Sequence, residues 1–266
     1  MPSNKTSVII PNLIVSEELL GLMQSTVKHF REGTPSEVEL EIILIDDGST
    51  LPGAAEWMKE NADIFIQNEH NLGFAKTCNR GFHAATGYYI VCANNDIEVY
   101  PGWWQAMTEP FVKEATDVKF KHVGVTGLIS YTGRLPEGVP IKDWKIKKIT
   151  EGGLLNGWMQ SGGLWMTTRP VMDECGMFDE QFERGGYEDI DLFMRYQHKF
   201  GKKLIMSGMS AFWHKEGATR WNCEVDPNYK KESKRIEESN RVKFTNKWGW
   251  DYYSSSPWKE REIWRG

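Results

Sequence analysis

The sequence predicts an α/β fold with a single Rossmann-like, mostly parallel sheet flanked by helices. Short apolar runs alternate with amphipathic helical patterns through the first hundred residues, and polar clusters end several of these runs. The 266 residues are 40% hydrophobic and 26% charged, which is an ordinary globular composition and excludes a disordered or fibrous chain.

Four apolar runs in the first hundred residues have the length of buried strands, at 7–11, 41–45, 63–67 and 88–93. Helical patterns separate these runs. One begins after Ser16, which is a favourable N-cap residue, a short one carries Trp57, and a third covers 72–85. The alternation predicts parallel strands that are joined by helices.

The remainder of the chain has a less regular pattern. We expect helices at 101–112, near 187–189 and from 226 onward, strands at 123–129 and before His214, and a loop at 130–150. The interpretation is one domain over 1–225, divided into halves at 1–100 and 101–225. A helical, basic extension at 226–266 is expected to pack on the same domain.

Charge and cysteine content narrow the class of protein. The net charge of −5 argues against a protein that neutralises many phosphates of a nucleic acid. The four cysteines form no metal-binding or disulfide pattern, so we expect free thiols in a reducing compartment. The sequence shows no signal peptide and no run of the roughly 20 apolar residues that span a bilayer. These features predict a cytoplasmic protein.

Three predicted strands end in polar clusters: Pro11-Asn12, Asp46-Asp47-Gly48-Ser49 and Asn94-Asn95-Asp96. In a parallel sheet, ligands bind beyond the carboxyl ends of the strands. The sequence has no G-x-G-x-x-G turn after the first strand and no Walker A motif, so a bound diphosphate would need a metal and side chains. Asp96 is the candidate metal ligand. The alternative is that these clusters only form turns.

Several motifs, taken in order, resemble family 2 glycosyltransferases of the GT-A fold. The matching segments are 7–11, the Asp46–Ser49 turn, Asn71-Leu72-Gly73 with 79–81, Asn94-Asn95-Asp96, 186–195 and Trp213-His214. Their order and spacing hold from about residue 6 to 220, and Lys247-Trp248-Gly249 is also similar to a tail of this family. The resemblance implies transfer of a sugar from a UDP-, dTDP- or GDP-linked donor to a carbohydrate or other hydroxyl acceptor.

The resemblance also implies a donor site in the half 1–100. Asp47 would hold the base together with the chain at Pro11, Asn12 and Leu13, and Lys76 or Asn79 would face the ribose and phosphates. Asn94 would contact the ribose, Asn95 would also belong to the donor site, and Gly163 would let the sugar approach the backbone. Arg220, on a loop after His214, would stabilise the charge of the leaving diphosphate.

The D-x-D motif of the family appears here as Asn94-Asn95-Asp96. Its last residue, Asp96, would bind Mn²⁺ or Mg²⁺, and His214 would be the second protein ligand. Asn94 removes one negative charge that the family usually has near the metal, as in relatives that transfer rhamnose or galactofuranose.

The half 101–225 is expected to bind the acceptor and to supply the base. Glu188-Asp189 resembles the E-D motif in which the aspartate removes the proton of the acceptor hydroxyl in an inverting displacement. The alternative from the residues alone is that both only cap a helix. Trp158, with Glu188, is the candidate for the acceptor site, whereas Trp165 is equally well explained as a core residue.

Three other interpretations were weighed. A sugar nucleotidyltransferase would need a glycine-rich basic loop after the first strand, where this chain has Pro11-Asn12-Leu13. A non-catalytic nucleotide- or sugar-binding module is supported only by Asn94. A transferase that acts on a modified nucleic-acid base is disfavoured by charge, although the basic tail, with ten basic and six acidic residues from Pro227 on, could touch phosphates or an anionic membrane surface.

Overall fold

The computed structural model describes residues 4–114, 124–130, 140–141, 154–156, 163–200, 204–215 and 229–251. Trp158 and Arg220, two of the predicted site residues, lie outside these ranges, as does most of the expected loop at 130–150. Within the described ranges, strands and helices alternate through the first half as the sequence predicts.

The strands are β1 (Thr6–Asn12), β2 (Leu40–Asp46), β3 (Ile64–Gln67), β4 (Tyr89–Ala93), β5 (Ile97–Val99), β6 (Val125–Ser130), β7 (Leu154–Asn156), β8 (Leu164–Thr168) and β9 (Leu204–His214). The helices are α1 (Glu17–Gly33), α2 (Ala54–Asn61), α3 (Phe74–Ala84), α4 (Trp103–Glu114), α5 (Arg169–Cys175), α6 (Glu188–Phe200) and α7 (Tyr229–Trp248). All the predicted elements are present, and Ser16 is confirmed as the N-cap of α1, since its side chain accepts a hydrogen bond from Leu19 N.

Among the described residues the strands form one sheet in the order β3-β2-β1-β4-β8-β6-β9-β5, with β7 paired to β9. The strands β3, β2, β1 and β4 are mutually parallel. Antiparallel pairs appear further along, between β4 and β8, β8 and β6, and β5 and β9. The sequence patterns did not predict β5, β7, β8 or α5. Strands β5 and β7 have only three residues each, which is too short to show an alternating pattern.

Helices cover both faces of the sheet. One core cluster joins α1, α2 and α4 to the strands, and a second joins α3, α5 and α6 to the opposite face. Both faces of strand β1 are buried: Val8 and Ile10 belong to the first cluster, and Ile9 belongs to the second. Side chains of a strand point alternately to its two faces, so a strand buried on both sides is apolar throughout.

The last described helix, α7, packs beside α6 through a third apolar cluster. Phe182, Tyr187, Met194 and Phe244 form this cluster, with Trp248 and Trp250 packed against it. The proposed division at 225/226 stays a prediction. Within the described part of the chain, none of the helices combines the length and apolar character that crossing a bilayer requires.

Candidate functional site

Two of the predicted polar clusters meet at the carboxyl ends of β1 and β2. Asn12 pairs in register with Asp46, so the two strands end side by side. Asn12 is 2% exposed, and its amide nitrogen donates to the carbonyl oxygens of Ile10 (2.7 Å) and Ile45 (3.4 Å). Its Oδ1 is buried and accepts no hydrogen bond from any residue that the structure describes. Pro11 and Leu13, on either side, are half-buried.

The Asp46–Ser49 turn is fixed by its own side chains. Asp46 Oδ1 accepts a hydrogen bond from Ser49 N at 2.8 Å, and Ser49 Oγ accepts one from Ile14 N at 2.8 Å. The turn therefore ties the chain after β2 to the chain after β1. Because Asp46 is engaged in this turn, Asp47 is left as the residue that can reach beyond it.

The carboxylate of Asp47 is directed into the loop between β3 and α3. Its Oδ1 accepts hydrogen bonds from Leu72 N (2.7 Å) and Asn68 Nδ2 (2.7 Å), and its Oδ2 accepts one from Gly73 N (3.1 Å). Burial raises the pKa of Asp47 above its ordinary value, while these hydrogen bonds oppose the rise. The Thr77 side chain also bonds to this carboxylate, so most of its roughly four acceptor positions are used within the protein.

Asn68 is a residue of this edge that the motif search did not include. Its side chain bonds to both Asp47 (2.7 Å) and Thr77 Oγ1 (3.0 Å), and it lies directly after β3. Polar residues directly after a parallel strand mark a ligand site, and Gln67-Asn68 meets this criterion as the other clusters do. Asn68 was therefore predictable from the sequence.

The structure separates the two candidates on α3. Asn79 is buried, and its side chain is used within the protein: Nδ2 donates to Phe178 O (3.0 Å) and Glu180 Oε1 (2.9 Å), and Oδ1 accepts from Phe178 N (3.0 Å). These bonds use both donors and one acceptor position of the Asn79 amide within the protein, and the role of Asn79 at the ribose stays a prediction. Lys76, in the first turn of α3, is exposed.

Asp96 and His214 lie side by side, although they are far apart in the sequence. The antiparallel pairing of β5 with β9 places Ile97 opposite His214, and Lys215 N donates to Asp96 O at 3.1 Å. His214 Nε2 consequently lies 3.1 Å from Asp96 Oδ1. Both side chains are largely buried.

The chemistry of this pair suits a divalent cation. Asp96 Oδ1 is buried and accepts no well-oriented hydrogen bond from the described residues, even though His214 Nε2 is close. Two neighbouring ligands of an octahedral ion, each at roughly 2.1 Å from it, are about 3 Å apart. The residues therefore fit a shared ion. No cluster of three or more His, Cys, Asp or Glu side chains that could hold a metal occurs among the described ranges, so other ligands would be needed.

Asn94 and Gly163 adjoin the Asp96–His214 pair. Asn94 Nδ2 lies 3.3 Å from His214 Nε2, and Asn94 N donates to Gly163 O at 2.8 Å. Gly163 is buried just before β8, and Asn95 is buried with 7% exposure. The structure thus brings four predicted residues around one point: Asn94, Asp96, Gly163 and His214.

Glu188 and Asp189 begin α6, directly after a loop with an unusual backbone. Four consecutive residues have positive φ: Arg184 (52°), Gly185 (125°), Gly186 (106°) and Tyr187 (74°). A bulky residue such as Tyr187 rarely adopts this conformation, which costs of order 1–3 kcal/mol and persists only where the surroundings enforce it. Glu188 is buried, and Asp189 is half-buried with Oδ1 accepting from Ile190 N at 2.8 Å.

Trp165 belongs to the core. It is 1% exposed and contacts the rings of Phe82, Phe178 and Phe193 at centroid distances of 5.7–5.8 Å. The sequence left open whether this residue borders a sugar, and its burial decides for packing.

Comparisons with known proteins find similarity to glycosyltransferases. A sequence profile of the family described as "Glycosyl transferase family 2" matches residues 7–176. An "Uncharacterized glycosyltransferase YibD" of Escherichia coli (strain K12) is 28% identical over 165 residues, which cover 60% of this chain and 44% of that protein. An "Undecaprenyl-phosphate 4-deoxy-4-formamido-L-arabinose transferase" of Proteus mirabilis (strain HI4320) is 32% identical over 103 residues, or 37% of this chain and 31% of that protein. The chain spans less than half the length of these curated relatives.

Solved structures show the likeness of the fold. A crystal structure of GalNAc-T7 with UDP, GalNAc and Mn²⁺ matches 96% of this chain and 52% of its own, at a TM-score of 0.63 and 18% identity. A crystal structure of S. aureus TarS 1-349 in complex with UDP matches 95% of this chain and 73% of its own, at a TM-score of 0.55 and 16% identity. The predicted fold class, an α/β fold of the GT-A type, is confirmed.

Proposed function

The chain belongs to glycosyl transferase family 2, and on this premise we propose that it moves a sugar from a nucleotide-diphosphate sugar to an acceptor hydroxyl, with inversion at the anomeric carbon. The observation that carries the proposal is the 3.1 Å approach of Asp96 Oδ1 to His214 Nε2 at the edge of the sheet where β1 and β2 also end. An oxygen and a nitrogen ligand meet there beside polar strand ends, which is what a metal-bound diphosphate requires.

The nucleoside would bind where β1 and β2 end. The Asp47 carboxylate lies at this edge, bonded to the loop before α3, and Asn12 Oδ1 is a second buried acceptor. Asp47 would accept from an N–H group of a base held along Pro11–Leu13. A uracil or thymine imide presents one such donor, and UDP-bound solved structures share the fold of this chain.

The diphosphate would lie between the Asp96–His214 pair and Lys76. Asp96 and His214 would hold the cation, and a bound Mn²⁺ or Mg²⁺ supplies positive charge that stabilises the leaving diphosphate. Asn94 Nδ2 lies 3.3 Å from His214 Nε2, so this amide would have to turn away when that nitrogen binds the cation. Lys76 is exposed in the first turn of α3 and would add a mobile positive charge.

Asp189 would act as the general base. Inverting transfer is a single displacement, so one carboxylate must take the proton of the attacking hydroxyl while the diphosphate leaves from the opposite face. Asp189 is half-buried in the first turn of α6, where the helix dipole favours its ionised form. Glu188, which is buried beside it, would line the acceptor side.

Isothermal titration with UDP, dTDP and GDP, each with and without Mn²⁺, tests this function. We expect one of the three to bind only with Mn²⁺, and we expect Asp96→Ala to abolish that binding. Asp173→Ala, an exposed position on α5, is the matched control and should bind as the parent does. A panel of sugars linked to the same nucleotide, scored by donor hydrolysis, then identifies the donor. If none of the three nucleotides binds, the proposed function is wrong.

A further inference from the structure

Asn240 of α7 is completely buried and bonds to the loop that leads to Glu188-Asp189. Its Nδ2 lies 2.9 Å from Glu183 O, 3.1 Å from Gly186 O and 3.4 Å from Gly185 O. Its Oδ1 accepts from Glu183 N at 3.1 Å. A single side chain from another part of the sequence therefore satisfies the backbone at both ends of the 183–187 loop.

This loop could not keep its shape by local forces alone. Residues 184–187 all have positive φ, and two of them, Arg184 and Tyr187, carry side chains that disfavour it. Asn240 meets the backbone here, and Phe244, one turn further along α7, contacts the Tyr187 ring at a centroid distance of 5.3 Å. Helix α7 thus supports the loop, beside the backbone of Gly73, which packs against Arg184.

Helix α7 also contacts the first turn of α6. The carboxylate of Asp191 is fully buried, and its Oδ1 accepts from Trp248 Nε1 (2.9 Å) and lies 2.8 Å from Lys247 Nζ. Asp191 Oδ2 accepts from Arg195 Nε at 2.9 Å. Helix α7 therefore holds the chain on both sides of Asp189 while its described contacts leave the ends of β1 and β2 untouched.

We propose that Asn240 is a positioning residue, which sets the place of Asp189 by holding the backbone of the 183–187 loop. The inference rests on the proposed function, in which Asp189 is the base. It predicts a separation of effects, because the donor would bind at strand ends that α7 does not support. Misplacing a catalytic group by about 1 Å can cost roughly 100-fold in rate.

The experiment compares Asn240→Ala and Asn240→Asp with Asn246→Ala, an exposed asparagine on the same helix that serves as the matched control. Asn240→Asp keeps the size and the oxygen acceptor but removes the donor to the three carbonyls. We expect both Asn240 variants to lower the kcat of donor hydrolysis by roughly 10- to 100-fold, while the Kd of the nucleotide found by titration stays within about two-fold. Asn246→Ala should change neither value.

Amide hydrogen exchange supplies a readout that does not depend on activity. Exchange at 184–190 should accelerate in both Asn240 variants, while exchange in β1, β2 and β4 stays at the parent level. Hydrolysis equal to that of Asn246→Ala would overturn the proposal, as would a loss of nucleotide binding in step with hydrolysis, or failure of both variants to fold. If Asp189→Asn keeps full turnover, the proposed base is wrong. If Asp189→Asn is inactive and both Asn240 variants are fully active, only the positioning role is wrong.

Discussion

Asp96 Oδ1 and His214 Nε2 lie 3.1 Å apart because two short stretches of chain pair across the end of the sheet. Strand β5 has three residues, and its antiparallel pairing with β9 sets Ile97 opposite His214. The backbone bond from Lys215 N to Asp96 O at 3.1 Å extends this pairing by one step. The distance between the two side chains is therefore set by the register of β5 and β9, next to which Asp96 lies in the turn between β4 and β5.

Replacing His214 should weaken the binding of the metal. We expect His214→Ala to raise the Mn²⁺ concentration needed for half-maximal donor hydrolysis roughly 10-fold or more, because one protein ligand is lost while Asp96 remains. His83→Ala, an exposed histidine on α3, is the control and should leave the requirement unchanged. A titration of activity against Mn²⁺ measures both. An unchanged requirement in His214→Ala would make that residue structural.

Replacing Asp189 should separate binding from turnover. Asp189→Asn retains the oxygen that accepts from Ile190 N, so the start of α6 should be preserved. We expect donor hydrolysis to fall about 10²- to 10⁴-fold, while nucleotide affinity by titration is unchanged. Asp173→Asn on α5 should behave as the parent. Turnover by Asp189→Asn at the parent rate would remove it from the mechanism.

Gly73 joins the Asp47 loop to the loop before α6, and a side chain there should disturb both. Its φ is +86°, and a Cβ at this position would lie 2.7 Å from Arg184 N. Gly53 is the matched control, since it also precedes a helix with a φ of +82° but has no atom within 4 Å of a Cβ.

We expect Gly53→Ala to lower the free energy of unfolding by about 1–2 kcal/mol, the cost of a left-handed backbone for an L-residue. Gly73→Ala should cost roughly 1–3 kcal/mol more, because of the clash and because its ψ of 164° lies in a region that only glycine adopts readily, and it should also lower donor hydrolysis. Urea denaturation of both variants measures the difference. If the two variants lose the same free energy of unfolding, the Asp47 loop and the loop before α6 can move apart without cost.

Glu41 provides a prediction for pH. Burial opposes its ionisation, but hydrogen bonds from Ser7 Oγ (2.6 Å) and from Thr86 N and Oγ1 (3.0 and 2.6 Å) outweigh burial and lower its pKa. A carboxylate with a lowered pKa in the folded state contributes stability above its ordinary pKa of 4.5, and this stability is lost as the pH falls through the lower, folded value.

We therefore expect Glu41→Gln to lower the free energy of unfolding at pH 7 by about 1–3 kcal/mol, because an amide cannot accept all three hydrogen bonds. The variant should also lose less stability than the parent as the pH falls from about 5 to 3. Thermal unfolding across this range checks both effects. If the parent and the variant lose the same stability as the pH falls from about 5 to 3, Glu41 does not contribute to acid sensitivity.

Much of the donor half was predictable from local patterns. The four strands β1 to β4 each have an apolar run, and the carboxyl ends of parallel strands meet at one edge, so the meeting of Asn12 with Asp46 followed from the pattern. For Asn79 the motif shows a residue type but not the direction of its side chain. Its bonds reach Phe178 and Glu180, about one hundred residues away.

By itself the sequence determined the fold class, the family and the identity of the polar strand ends, since periodicity and short motifs are local. Only the tertiary structure decided which of those residues meet. The approach of Asp96 to His214 depends on the register of β5, a strand too short to leave a pattern. The hydrogen bonds between Asn240 and the 183–187 loop depend on where α7 packs. Contacts between distant segments come from packing and backbone pairing across the whole chain, and no local pattern encodes them.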